Sequence, residues 1–163
     1  MTDGQARNYW IIVGSPDNFA RTAAHGFTVQ GLKSRHRKKA ERMMPGDKII
    51  YYLTGRKAFG GVATVRSPYF ESQERIWESG DPKKSDEDYP FRVTIAPDII
   101  LSIDNAIPAE PIARLMAYVA KWPEANWTLA FQGNVHEIGE TDYQLIRDAV
   151  EAAVLVGAGG ANG

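Results

Sequence analysis

The chain has 163 residues, a net charge of −1, 24% charged and 44% hydrophobic residues, and no cysteine. A length of this order suits one domain built on a single core. The missing cysteines exclude a disulfide framework and thiolate chemistry or metal ligation, the apolar runs are too short for a membrane-spanning helix, and the balanced charge argues against general attraction to polyanions.

Residues 1–8 are polar and expected to be disordered. They carry no apolar stretch resembling a signal peptide, so a cytoplasmic location is expected. Tyr9 to Val13 is an unbroken apolar run ending in β-branched residues, the pattern of a strand covered on both faces. Ser15-Pro16-Asp17-Asn18 then reads as a helix start, with Ser15 as N-cap, Pro16 at the first helical position and an acid in the first turn. The helix runs to about His25, and Gly26 closes it. This turn gathers Ser15, Asn18 and free backbone N–H groups, which suits either ordinary capping or a grip on a polar ligand edge.

Phe27 to Arg35 lacks periodicity and reads as a loop, in which Gly31 permits close approach of a ligand or another backbone. Lys33, Arg35, Arg37, Lys38, Lys39 and Arg42 face the single acid Glu41 in a short window, partly on two helical turns. Such a run forms a solvated face or a localised anion site. Met44-Pro45-Gly46-Asp47 is a turn. Lys48 to Leu53 follows as a second buried strand, and Ala58 to Val65 as a third, antiparallel to it, with Gly60-Gly61 marking a bulge or the approach of a ligand.

From Glu71 to Asp88 seven acids outweigh three bases, and the stretch reads as a loop that is mobile in its middle. Phe91, Val93 and Ile95 alternate with Arg92 and Thr94 in a fourth strand; Pro97 ends or bends it, before a continuation at Ile99 to Leu101. On the outer face of that strand Arg92 points either to solvent or into a cleft, where it would donate a bidentate hydrogen bond. Ile112, Leu115, Met116 and Val119 have the spacing of an amphipathic helix over 111–121. Trp127 and Phe131 follow, as core closure or as walls of a pocket for a planar ligand. Thr141 to Gln144 is a capping box for a last helix with Tyr143, Ile146, Val150 and Val154 on its buried stripe, and residues 156–163 have the composition of a disordered Gly-rich tail. The pattern predicts one α+β domain over residues 9–155, around a mostly antiparallel, barrel-like sheet.

His25, His36 and His136 have no partner at metal-ligand spacing, and neither a phosphate-cradling glycine loop nor a nucleophile elbow is present. No cofactor and no metal are expected. What the chain offers is a basic segment near its second strand, aromatic residues, and polar side chains at strand ends. Those are the means by which a domain holds one nucleotide: cations on phosphate, rings stacked on the base, amides on its edge.

Several short stretches occur in a telling order. They are Tyr9-Trp10-Ile11 with the Ser/Asn turn, Gly26-Phe27…Gln30…His36, Met44-Pro45-Gly46-Asp47-Lys48…Tyr51-Tyr52, Gly61-Val62-Ala63, Tyr89-Pro90-Phe91-Arg92-Val93 and Glu140-x-Asp142-Tyr143-x-x-Ile146. Together, from Tyr9 to Val154, they resemble the EVE domain proteins of the UPF0310 (DUF55) group, which belong to the PUA-like superfamily and are related to YTH domains. The resemblance implies a PUA-like β-barrel with flanking helices and a pocket for a modified base, flipped or single-stranded, in DNA or RNA. It implies that Ser15 and Asn18 lie on the turn that reads the base edge, and Gln30, Gly31 and Leu32 on the loop that supplies a wall. Where YTH domains place a tryptophan this chain has Gln30, which opens the pocket to a base other than methyladenine, such as a modified cytosine.

The leading expectation is a non-enzymatic reader of a modified base, with DNA or RNA as partner and no membrane. Ser15, Asn18 and Gln30 would read the base edge, with Arg92 beside the cleft; aromatic walls would come from Trp10, Tyr52, Tyr69, Phe91 or Trp127; Lys33, Arg35, His36 and Arg37 would hold phosphates. Two alternatives stand beside it. One is a hydrolase of a modified nucleoside, as in the related ASCH domains, whose signature Gly31-Leu32-Lys33 begins but Glu41 and Arg42 complete several residues late. The other is a protein-interaction module whose basic segment is a solvated face.

Overall fold

The computed structural model describes residues 7–79, 81–84 and 86–161. Eight strands form its sheet: β1 (Tyr9–Gly14), β2 (Val29–Leu32), β3 (Lys48–Leu53), β4 (Ala58–Val65), β5 (Phe70–Glu71), β6 (Phe91–Ile100), β7 (Ile107–Pro108) and β8 (Val135–Ile138). The helices are α1 (Pro16–Ala24), α2 (Arg37–Arg42), α3 (Glu110–Ala113) and α4 (Glu140–Ala161), with short 3-10 turns between them. The sheet runs in the order β2-β6-β4-β3-β1-β8, with β5 on β6 and β7 on β4. Among these pairings β1–β3 is parallel and the rest are antiparallel. The result is the expected α+β architecture, a mixed, curled half-barrel with helices packed on it.

The side chains of β1 alternate between two cores, because successive residues of a strand face opposite ways. Ile11 and Val13 enter one, with Tyr52, Phe59, Phe131 and the buried stripe Tyr143, Ile146 and Val150 of α4. Trp10 and Ile12 enter the other, with Phe19 of α1, Met43, Tyr51, Phe91 and Val93. Both faces are covered, as the unbroken apolar run implies. The glycine pair in β4 lies at a register irregularity opposite Tyr51/Tyr52. A Cβ on Gly61 would stand 2.6 Å from the Ile99 carbonyl oxygen, so close strand packing, with no ligand, explains the glycine there.

Several expectations are corrected. The expected loop from Phe27 contains β2, which pairs residue by residue with β6; its four residues are too few for a periodicity to show. β6 passes through Pro97 without ending, absorbing the irregularity at the residue after it, where Ala63 pairs with Pro97 and Val62 with Ile99. The helix read over 111–121 is broken after α3, and the Asp142 carboxylate accepts the N–H groups of Ala117 (2.9 Å) and Tyr118 (2.8 Å) exposed by the break. That use of Asp142, and a helix start at Glu140, replace the capping box read at Thr141–Gln144. β8 has no counterpart among the strands that the sequence pattern predicts. Helix α4 continues past residue 156, where the tail was expected to begin, to Ala161; residues 1–6, 162 and 163 lie outside the described residues. Among the described residues no helix is long and apolar enough to cross a membrane.

Candidate nucleic-acid interface

The parallel strands β1 and β3 end side by side at Gly14 and Leu53, and α1 leaves from the end of β1. Outside the carboxyl ends of such a pair the backbone parts and leaves a crevice, the usual place for a ligand beside parallel strands. A cleft opens here. Its floor is Ile12, Val13, Gly14 and Leu53; its sides are Asn18, Phe19 and Thr22 of α1, Gln30 of β2, Tyr51 and Tyr52 of β3, and Trp77, Tyr89 and Asn134 from the connections. The empty space out to the mouth is about 340 Å³, but only about 30 Å³ of it admits the centre of a water molecule, room for roughly two waters.

Trp77 is the wall that closes the cleft. It is 1% exposed, within the acidic stretch read from sequence as a loop. Its indole N–H donates to Thr22 Oγ1 at 2.8 Å, and its ring lies over Gly31, where a Cβ would stand 2.5 Å from Cζ3. A glycine is required at that position for this reason. The Asn18 amide fixes the next residue twice, accepting from Glu78 N–H at 3.0 Å and donating to Glu78 C=O at 2.8 Å, while Arg21 donates to the Ile76 carbonyl at 3.4 Å. The Arg92 guanidinium stands 5.2 Å from the Trp77 ring centre and donates to the carbonyls of Tyr89 (3.1 Å), Asp88 (2.9 Å) and Glu74 and to Ser72 Oγ (3.1 Å). Burial lowers its pKa from the ordinary arginine value.

Tyr89 is the second ring wall, 5.9 Å from Trp77 between ring centres. Its backbone has φ 53°, a left-handed conformation uncommon for a bulky residue. The Arg92 bond to its carbonyl and the Glu87 carboxylate on its N–H (3.2 Å) hold it there. Such strain is held in place by its surroundings and concentrates at ligand sites. Opposite, Gln30 is 4% exposed; its Oε1 accepts from the Tyr51 hydroxyl at 2.8 Å and its Nε2 donates to the Gly31 carbonyl at 2.9 Å. Burial pushes the Tyr51 phenol far above its usual pKa, so it remains a donor.

A cationic rim lies beside these walls. The Lys33 ammonium stands 5.8 Å from the Tyr89 ring centre, and the Lys33 N–H donates to Asn134 Oδ1 at 2.9 Å. Arg35 Nη2 would lie 3.8 Å from a Cβ at Gly133, next to Asn134, and Lys39 Nζ donates to the Val135 carbonyl at 3.3 Å. His36 accepts at Nε2 from Arg35 Nε at 3.2 Å; burial, then the charges of Lys39 and Arg35, lower its pKa to about 4. That shift favours the uncharged imidazole, which accepts from Arg35.

Of the base-binding residues expected from sequence, Asn18, Gln30 and Tyr52 line the cleft, and Gly31 lies beneath the Trp77 ring. Ser15 caps α1, accepting from Asn18 N–H at 3.1 Å. Arg92 is buried behind the wall, 1% exposed, because the stretch from Ser72 to Glu78 covers the outer face of β6. Trp10 and Leu32 are core residues at 0% exposure, the Trp10 indole donating to Asp47 at 3.1 Å. Phe91 and Trp127 are core as well, in different clusters. Tyr69 packs on Phe91 with Arg37 alongside, and Arg37 pairs with Glu41 at 3.7 Å, so neither Tyr69, Phe91 nor Arg37 reaches the cleft. The same pairing leaves Glu41 on an exposed face, not beside Lys33. Sequence reasoning missed Trp77, Tyr89, Tyr51, Thr22 and Asn134. One signal was available: Ile76-Trp77 is an apolar pair in an otherwise charged stretch.

Residues 8–149 match the family model of the EVE domain. The chain belongs to the EVE domain family. UPF0310 proteins of Pyrococcus abyssi and Pyrococcus horikoshii are 26% and 27% identical to it over 148 residues, covering 85% of this chain and 96% and 95% of theirs. Among solved structures, the Mmi1 YTH domain in complex with RNA superposes with a TM-score of 0.63 at 14% identity, covering 91% of this EVE domain chain and 80% of the other. The YTH domain of Zygosaccharomyces rouxii MRB1 in complex with N6-methyladenosine RNA gives 0.62 at 14% identity, over 90% and 88%. Protein PSPTO5229 of Pseudomonas syringae gives 0.57 at 12% identity, over 86% and 98%. At these identities the structural likeness speaks for the fold.

Proposed function

We propose that this EVE domain binds nucleic acid without catalysis and takes one modified base, extruded or single-stranded, into the cleft beside Trp77. The observation that carries the reading is the pair of ring walls, Trp77 and Tyr89, standing over buried amides next to Lys33 and Arg35. Aromatic faces stack on a base, amides address its edge, and the cations hold flanking phosphates. The shared fold with YTH domains solved on RNA supports the choice of nucleic acid as ligand class. The narrow cleft requires Trp77 to shift for a base to enter, and its tethers are polar bonds that water or ligand can replace.

The test is binding to oligonucleotides that differ by a single base modification. One modification binds best, and Trp77→Ala weakens that binding by about 1–3 kcal/mol, the range for losing one stacking face. Equal binding across the panel, with affinity unchanged in Trp77→Ala and Gln30→Ala, refutes the proposal. Salt dependence alone does not decide, since any basic rim produces it.

A further inference from the structure

Three side-chain amides line the cleft, and each is oriented by a backbone group of fixed polarity. Gln30 must turn its nitrogen to the Gly31 carbonyl (2.9 Å), which leaves Oε1 for the Tyr51 hydroxyl (2.8 Å). Asn134 must turn its oxygen to the Lys33 N–H (2.9 Å), which leaves Nδ2 toward the Val13 carbonyl (3.4 Å). Asn18 is fixed the same way by both backbone groups of Glu78. Flipping any of the three sets donor against donor or oxygen against oxygen, so the donor count at the cleft follows from the fold.

An amide nitrogen carries two protons. Asn18 uses both, on the Glu78 carbonyl and on the Tyr89 hydroxyl at 3.4 Å. The single Trp77 N–H goes to Thr22 Oγ1, and that hydroxyl donates to the Asn18 carbonyl at 3.1 Å. Gln30 and Asn134 each use one proton and keep one, and both residues are 4% exposed. The Tyr52 hydroxyl can donate or accept and does not discriminate. A buried N–H left unpaired is rarer and more costly than an under-used carbonyl oxygen. The cleft therefore carries a surplus of two donors.

We infer that the cleft selects a base edge bearing two acceptors, a carbonyl oxygen and an unprotonated ring nitrogen, which take the spare N–H groups of Gln30 and Asn134. The inference rests on the base-binding reading above. Two ring edges have this chemistry: O2/N3 of a 2-pyrimidinone, as in cytosine, and O6/N7 of guanine. The N1/N6 edge of adenine sets a donor beside its acceptor and leaves one amide proton unpaired.

Short oligonucleotides with abasic flanks and one central base separate these possibilities when titrated against the whole chain by fluorescence anisotropy. One pair compares 2-pyrimidinone with 2-pyridone, which has C–H in place of N3; the other compares guanine with 7-deazaguanine. In one of the two pairs the C–H replacement weakens binding about tenfold, and that pair identifies the edge. Asn134→Asp keeps the acceptor for Lys33 N–H and removes the donor, and Gln30→Glu does the same for Tyr51; either change reduces that ratio toward one, an effect that mere loss of stability does not produce. Equal affinities within both pairs, with binding still lost in Trp77→Ala, overturn the edge assignment and leave the base pocket standing. A discrimination ratio that survives in both amide variants also overturns it. Binding indifferent to the central base and to Trp77→Ala overturns both readings.

Discussion

Tyr52, Phe59 and Phe131 are positioned by one another: Tyr52 stacks on Phe131 at 4.4 Å with planes 10° apart, and Phe59 meets both rings edge-on. Trp77 and Tyr89 are positioned by hydrogen bonds, from Asn18, Thr22, Arg21 and above all Arg92. The first group sits on strands and turns inside the larger core. The second forms a small cluster of its own with Ile76 and Val29. Packing of the first kind is lost only when the domain unfolds, whereas the second pair is enclosed by a short segment whose ties to Asn18 lie at the surface, and a segment tied in that way exchanges its bonds with water and opens by itself. The same fold thus contains an aromatic core held by packing and a cleft wall held largely by polar bonds.

The largest effect that this contrast implies is at Phe131. Phe131→Ala removes a ring at 2% exposure from between Tyr52, Phe59 and Trp127 and is expected to cost about 4 kcal/mol of global stability in urea unfolding. The fraction that stays folded keeps most of its affinity for oligonucleotide, because Phe131 reaches the cleft only through Tyr52, which stacks on it and lines one side. A selective loss of affinity at full folding erases the distinction between the two groups.

A smaller and more local effect is expected from Arg92→Lys. An ammonium keeps the charge but not the planar fork that reaches three carbonyls and Ser72 Oγ. The loss is about 2 kcal/mol, confined to the stretches the guanidinium ties, Ser72 to Glu78 and Asp88 to Tyr89. Amide hydrogen exchange at Glu78, whose N–H is bonded to Asn18, rises about thirtyfold for that energy, while exchange in β1 and β3 stays unchanged. If the β3 amides accelerate equally, the wall is not an independent unit.

The same contrast explains what the sequence revealed. Strand β1, the β3–β4 hairpin and the buried stripe of α4 as far as Val150 were legible because burial repeats along a regular element: Tyr9 to Val13 and Lys48 to Leu53 state it in consecutive residues. Val154, expected on the same stripe, is 43% exposed because the core that α4 covers ends at Val150 and Ala153. The Ser15 cap was legible from local chemistry. The cleft wall was not, because Trp77 is buried by residues far along the chain, Thr22 and Arg92 among them, and no periodicity records such contacts. Arg92 shows the limit well. Its face on β6 was read from alternation, but what covers that face depends on a segment whose acidic composition suggests solvent. Among the cations, spacing grouped Arg37 with Lys33 and Arg35; the turn into α2 aims Arg37 instead at Phe91 and Glu41.

The smallest expected effect concerns His36, on the cationic side of the cleft. Its folded pKa, lowered to about 4 by burial and by Lys39 and Arg35, lies below the ordinary value of about 6.5. As pH falls the unfolded chain therefore takes up the proton first. The contribution of His36 to stability is complete above about pH 6.5 and is lost progressively toward pH 4. In urea unfolding the native chain loses stability across that window, and His36→Gln reduces the loss. NMR titration of the imidazole shows a neutral ring at about pH 6, with Nε2 still accepting from Arg35. Under the proposed function, affinity for oligonucleotide then gains nothing from His36 as the pH drops from about 7.5 to 6, because phosphates would meet Lys33 and Arg35 but no imidazolium. An imidazole that titrates near its ordinary value, together with tighter binding in the acid range, returns His36 to the phosphate rim and makes the cleft's mouth more strongly cationic than its geometry indicates.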